Sequence, residues 1–102
     1  MTLDDAATCL NALGTPVRLC IFRLLVKAGD RGLVVGDIQR HLDIPPSTLS
    51  HHIAALVQAG LVQQTRQGRA LICTAEYQQM HDTVAFLTAE CCMGVVLQNK
   101  AS

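Results

Sequence analysis

Apolar residues recur along the chain with two different periods. Leu3, Ala6, Leu10 and Leu13 stand at helical spacing. Thr2 precedes them as an N-cap, Asp4 and Asp5 occupy the first turn, and Gly14 follows as a stop. A second helix starts at Thr15, with Pro16 in its first position and Val17, Ile21, Leu24, Leu25 and Ala28 inward. The segment "AGDRG" breaks it. A short third helix is predicted over about 35–42, "DIPP" is a turn, and Pro46 opens a fourth helix that runs to about 59. Leu49, Ile53, Leu56 and Val57 form its inner face, and Gly60 ends it.

The period then shortens. "LVQQTRQGRALICT" is β-prone on both sides of "RQGR", with Gly68 suited to a tight turn, so residues 61–74 read as a hairpin. Thr74 caps a last helix over about 75–93, where Tyr77, Met80, Val84, Leu87 and Cys91 keep 3-4-3-4 spacing up to Gly94. The predicted fold is mainly α, one domain over 1–102, in the order four helices, two strands and one helix. The helix pair at about 35–59 has the short connection of a helix-turn-helix, and the hairpin behind it makes a winged helix-turn-helix. That architecture serves DNA binding, although a fold alone does not establish function.

Half of the residues are hydrophobic and only three are aromatic, so the core is expected to be aliphatic and helical. No apolar run approaches the ~20 residues of a membrane span. "MTLDDAATCL" lacks the basic and apolar regions of a signal peptide, and the expected compartment is the cytoplasm, with no membrane partner. Net charge is zero, but residues 44–75 hold no Asp or Glu and do hold His51, His52, Arg66 and Arg69. A phosphate backbone would not be repelled there. In "PPSTLSHHIAALVQAGLV" the short hydrogen-bonding side chains Ser47, Thr48, Ser50 and His51 sit at the end of the fourth helix that would enter a major groove. Gln63, Gln64, Arg66 and Arg69 on the hairpin could touch backbone or minor groove. The plainer reading has Ser and Thr only capping the helix and Gln and Arg only facing water.

"GTPVRLCIFRLL", "STLSHHIAALVQAGLV" and "RQGRALIC" together resemble the ArsR/SmtB family of small metal-responsive repressors, over about residues 10–90. The resemblance implies a homodimer through the first and last helices, operator double-stranded DNA as partner, and release on binding an inducer. Many members carry E-L-C-V-C-D-L at the third helix. Here the stretch is "GLVVGDI", with Val34 and Gly36 at the cysteine positions, so that site is absent. A zinc site on the last helix would have His81 and Asp82 near its start but no His at its far end.

Five cysteines, an odd number, argue against a disulfide framework in a reducing compartment. Cys91 continues the apolar stripe of the last helix, whereas Cys92 lies beside it. A disulfide between neighbours is strained, but adjacent thiols can share one soft ion. "LTAECCMG" is similar to family members that sense trivalent arsenic through a Cys-Cys pair in this helix. By that resemblance the inducer is arsenic(III) or antimony(III), inorganic or organoarsenical, held by Cys91 and Cys92. Cys9 of either subunit, one position off the first-helix stripe, is the candidate third ligand. Cys20 is read as core packing, and Cys73 as too distant. A two-thiol site would suit an organic arsenical, whose carbon fills the third position. The alternative is a redox or persulfide-sensing repressor using the same thiols. No C-x-x-C on a βαβ pattern supports a thiol enzyme, so no catalytic residue is assigned.

Overall fold

A computed structural model describes residues 1–97. Five helices surround a small antiparallel sheet: α1 (Leu3–Leu13), α2 (Pro16–Ala28), a single 3-10 turn (Gly29–Arg31), β1 (Leu33–Val34), α3 (Val35–Leu42), α4 (Pro46–Gln58), β2 (Val62–Gln67), β3 (Ala70–Ala75) and α5 (Tyr77–Thr88). The punctuation expected from the sequence operates at the first two helices. Thr2 and Asp5 form a reciprocal capping box, and the Thr15 hydroxyl accepts from the Arg18 amide with Pro16 behind it.

One core serves every element. Leu49, Ile53 and Leu56 of α4 bury in one cluster with Ile21, Phe22 and Leu25 of α2, Ile38 of α3, Leu61 just before the hairpin and Cys73 within it. Each large aliphatic side chain so buried contributes ~1.5–3 kcal/mol. The α3–α4 turn is short and held: Asp43 takes a left-handed conformation, and the Gln39 amide donates to the Ile44 carbonyl at 3.0 Å. These bonds fix the angle at which α4 leaves the domain.

The sheet has the order β1-β3-β2. β2 and β3 pair from Val62 opposite Ala75 to Gln67 opposite Ala70, closing at Gly68 and Arg69 as expected. The third strand, β1, was not expected; Leu33 pairs with Cys73 and Val34 with Ile72. It ties the start of α3 to the base of the wing.

The last helix differs at both ends from its expected span. Thr74 belongs to β3, and Glu76 occupies the N-cap position. At the other end Ala89 turns to φ −58°, ψ 136°, so Cys91 and Cys92 lie in a turn beyond the helix rather than inside it. The physical reason is burial. Tyr77, Met80 and Thr83 pack on the domain, but Val84 and Leu87 are exposed in the single chain, and helix ends without packing are weakly held. Thr88 also bonds its hydroxyl back to the Val84 carbonyl at 3.2 Å.

α1 carries two apolar faces. Ala6, Cys9 and Ala12 are buried, while Leu3 and Leu10 of the expected stripe are exposed. Of the expected stripe Ala6 is buried and Leu13 packs on the core, while Cys9 and Ala12 take the inner positions between them. Among the described residues no single helix is long and apolar enough to cross a membrane.

Candidate nucleic-acid interface and thiol site

α4 presents Ser47, Thr48, Ser50 and His51 to solvent, all exposed, while Leu49 between them is fully buried. The N-cap position is Pro45 and takes no side-chain hydrogen bond. The plainer reading, in which these hydroxyls cap the helix, therefore fails. Short donor-acceptor groups stand free on the first turn and a half of α4. Gln63 and Arg66 on β2 and Arg69 in the hairpin turn are exposed as well. The helix start and the wing thus offer hydroxyl, imidazole, amide and guanidinium groups with no carboxylate from 44 to 75.

Sequence reasoning missed what steadies this surface. The Arg18 Nε of α2 donates to His52 Nδ1 at 3.1 Å, joining the start of α2 to the middle of α4. Partial burial holds the His52 imidazole below its ordinary pKa, and the neighbouring Arg18 and His51 add to the shift. A neutral ring at Nδ1 is the form that accepts from arginine. The pairing "RL…HH" gave no signal in the sequence, because the residues are brought together only by packing.

The thiols sort by exposure. Cys91 and Cys92 are exposed, with their sulfurs 3.3 Å apart. The Cys91 amide donates to the Thr88 carbonyl at 3.2 Å and the Met93 amide to the Glu90 carbonyl at 3.1 Å. Glu90 and Cys92 both have positive φ, 60° and 64°, in a region that costs a non-glycine residue energy. Cys9 is not brought to this pair. Its side chain is 0% exposed, and its sulfur donates to the Ala59 carbonyl at 3.5 Å and accepts from the Gln79 amide at 3.3 Å. Cys20, read as packing, is instead exposed on α2, because the inward positions of that helix are Ile21, Phe22 and Leu25. Cys73 is buried on β3, and that burial pushes its thiol pKa up against a smaller opposing effect of the Gln64 amide. Among the described residues no three His, Cys, Asp or Glu side chains come together as a metal site.

Comparison with known proteins agrees with this arrangement. A helix-turn-helix domain family model matches residues 13–65. The chain is 37% identical over 65 residues to an uncharacterized HTH-type transcriptional regulator, MJ1325, of Methanocaldococcus jannaschii, covering 64% of this chain and 71% of that one. It is 30% identical over 77 residues to the transcriptional repressor SdpR of Bacillus subtilis, covering 76% and 82%. A crystal structure of an ArsR family transcriptional regulator superposes with a TM-score of 0.77 at 20% identity, over 88% of this chain and 90% of that one.

The chain belongs to this helix-turn-helix domain family, and its fold is that of an ArsR family transcriptional regulator. Its relatives are regulators rather than enzymes. The matched segment 13–65 contains α2, α3, α4 and the first residues of β2, the part in which the Arg18–His52 bond joins two helices. The thiol pair lies outside that segment, so the family match does not speak to it.

Proposed function

We propose that this regulator is a dimeric repressor that leaves its operator when Cys91 and Cys92 capture trivalent arsenic or antimony. The observation that carries the reading is the exposed thiol pair with sulfurs 3.3 Å apart, just beyond α5. One soft ion bridges that gap with two ordinary metal–sulfur bonds of about 2.3 Å. Cys9 was the expected third sulfur; its burial and its two hydrogen bonds favour a two-thiol site. That favours an organic arsenical, whose carbon fills the third position, over bare arsenite.

The dimer is assigned to α1 and α5. Leu3 and Leu10 on α1 and Val84 and Leu87 on α5 are exposed in the single chain and would be covered by a second copy. Two recognition helices would then meet half-sites about one turn apart, ~34–36 Å. Ser47, Thr48, Ser50 and His51 would read the major groove, and Gln63, Arg66 and Arg69 would hold the backbone or minor groove. When Cys91 and Cys92 close on the ion, their turn can no longer adjust, and the adjoining end of α5 repacks against the partner. A coupling of ~1–3 kcal/mol changes operator occupancy about 5- to 150-fold. The protein would act in the cytoplasm.

The test uses reduced protein and a duplex selected from random sequence by the wild-type protein. Arsenite, antimonite, methylarsenite, zinc and peroxide are titrated against the complex. Methylarsenite is expected to release DNA at the lowest concentration, and Cys91→Ser or Cys92→Ser to bind DNA but ignore it. Release of either variant at the wild-type concentration would remove the site assignment. Release by peroxide alone would transfer the pair to redox sensing.

A further inference from the structure

α4 ends in a main-chain pattern that leaves the carbonyls of Gln58, which is exposed, and of Ala59, which is buried, without a main-chain donor. The Leu61 amide donates to the Leu56 carbonyl and the Gly60 amide to the Val57 carbonyl, both at 3.0 Å, with Gly60 at φ +76°. The Ala59 carbonyl takes no part in that pattern, and Ala59 is buried. A buried carbonyl at the negative end of a helix needs donors. Two come from outside the helix-turn-helix. Cys9 of α1 donates its S–H at 3.5 Å, and Gln79 of α5 donates Nε2–H at 3.0 Å. The same Gln79 nitrogen lies 3.3 Å from the Cys9 sulfur, so its second hydrogen closes a three-membered ring of bonds.

The ring sits where the recognition helix gives way to the wing, three residues before β2 begins at Val62. A Cβ on Gly60 would stand 3.2 Å from Gln79 Nε2, so the amide lies directly over the junction. Thr83 steadies the turn of α5 above it by donating to the Gln79 carbonyl at 2.8 Å. Every buried side-chain polar atom among the described residues has a partner.

We infer that Gln79 and Cys9 are positioning residues for DNA recognition: they clamp the Ala59 carbonyl and so fix the recognition helix and the wing relative to α1 and α5. Helix and wing must meet the duplex at the same time for sequence-specific binding. Phosphate attraction alone does not demand that register. The clamp therefore governs the ratio of selected-sequence to random-sequence affinity rather than DNA affinity as such. It stands on DNA binding by the helix-turn-helix and is independent of the thiol reading.

The test compares three substitutions on a duplex selected by the wild-type protein and on a random duplex, with folding checked by circular dichroism. Gln79→Met keeps the length and removes the donor; the selected-to-random ratio is expected to fall about tenfold. Gln79→Lys restores a donor of similar reach and is expected to hold the ratio near wild type. Gln79→Glu cannot donate when ionised and can when protonated. Partly buried against the Ala59 carbonyl, its carboxyl is held above the ordinary value of about 4.3, so its deficit relative to wild type is expected at about pH 8 and should shrink at about pH 5.5. An unchanged ratio in Gln79→Met, an equal loss in Gln79→Lys, or a Gln79→Glu deficit indifferent to pH would each overturn the assignment. Gln79→Glu keeps the test decisive should Gln79→Met not fold, because one protein then supplies both states.

Discussion

One glycine opens the 3-10 turn that leads into β1 and another follows it, and the two separate backbone strain from steric overlap. Gly29 has φ +70°, ψ −153°, and Gly32 has φ +66°, ψ −167°. Both lie in a region that is essentially glycine's own, where another residue costs ~1–3 kcal/mol. Their surroundings differ. A Cβ at Gly29 meets nothing within 4 Å, whereas one at Gly32 would stand 2.3 Å from the Cys73 carbonyl oxygen and 2.7 Å from Thr74 Cγ2. That carbonyl belongs to the central strand, paired on one side by Leu33 and on the other by Gln64. The two-residue β1 is the weaker neighbour, so β1 gives way and loses its ladder and the packing of Leu33. Gly32→Ala is therefore expected to cost about 2 kcal/mol more than Gly29→Ala, one ~1 kcal/mol main-chain bond and a comparable packing loss beyond the shared strain. At ~4–8 °C per kcal/mol, the extra fall in melting temperature is roughly 8–16 °C. Thermal unfolding by circular dichroism at one fixed protein concentration reads it, since any dimerisation makes the midpoint concentration-dependent. Equal falls in the two variants would show that β1 is not wedged against β3 and would remove its role as anchor of the wing.

The wing and the α2–α4 bond give further tests. Arg66→Ala and Arg69→Ala are each expected to lower the slope of log affinity against log salt by about 1 for each phosphate left without its arginine, hence about 2 in a dimer. An unchanged slope would take these arginines off the DNA backbone. At His52 the folded-state pKa is depressed, so the unfolded chain takes up the proton first as pH falls. The stability tied to the neutral ring is then fully present above the ordinary value of 6.5 and is lost as pH falls through it toward the lower folded value. His52→Gln, which can still accept from Arg18, should lose less stability than wild type between about pH 7.5 and pH 5. Parallel stability curves would refute the account.

The first, second and fourth helices were legible because their boundaries are chemical. Thr2, Thr15, Pro16, Pro46 and Gly60 each act on the backbone of their own turn, and the effect of such residues is local. The free hydroxyls of Ser47, Thr48 and Ser50 were equally readable, since burial of Leu49 and Ile53 dictates what the other face shows. β1 was not readable. Two residues carry no alternation, and its partner is about forty positions away on β3. The end of α5 misled for a related cause. Val84, Leu87 and Cys91 keep the helical period, but a period describes which face could be buried, and nothing among the described residues buries that one.

The cysteines carry the same lesson into function. Spacing placed Cys9 beside a dimer stripe and Cys20 beside a core; packing buries the first and exposes the second. α1 packs through the face containing Cys9, so a thiol that could have been a ligand becomes the donor to a helix-end carbonyl. α2 packs through Ile21, Phe22 and Leu25, so the thiol just before them faces water. A thiol buried in a ring of hydrogen bonds would have to break the clamp on α4 before it could reach an ion near α5. Recruiting Cys9 as a third ligand would therefore work against operator binding by a route separate from any shift of the dimer. On the proposed two-thiol site at Cys91 and Cys92 the clamp would stay intact, and release would come through α5 and the proposed dimer surface.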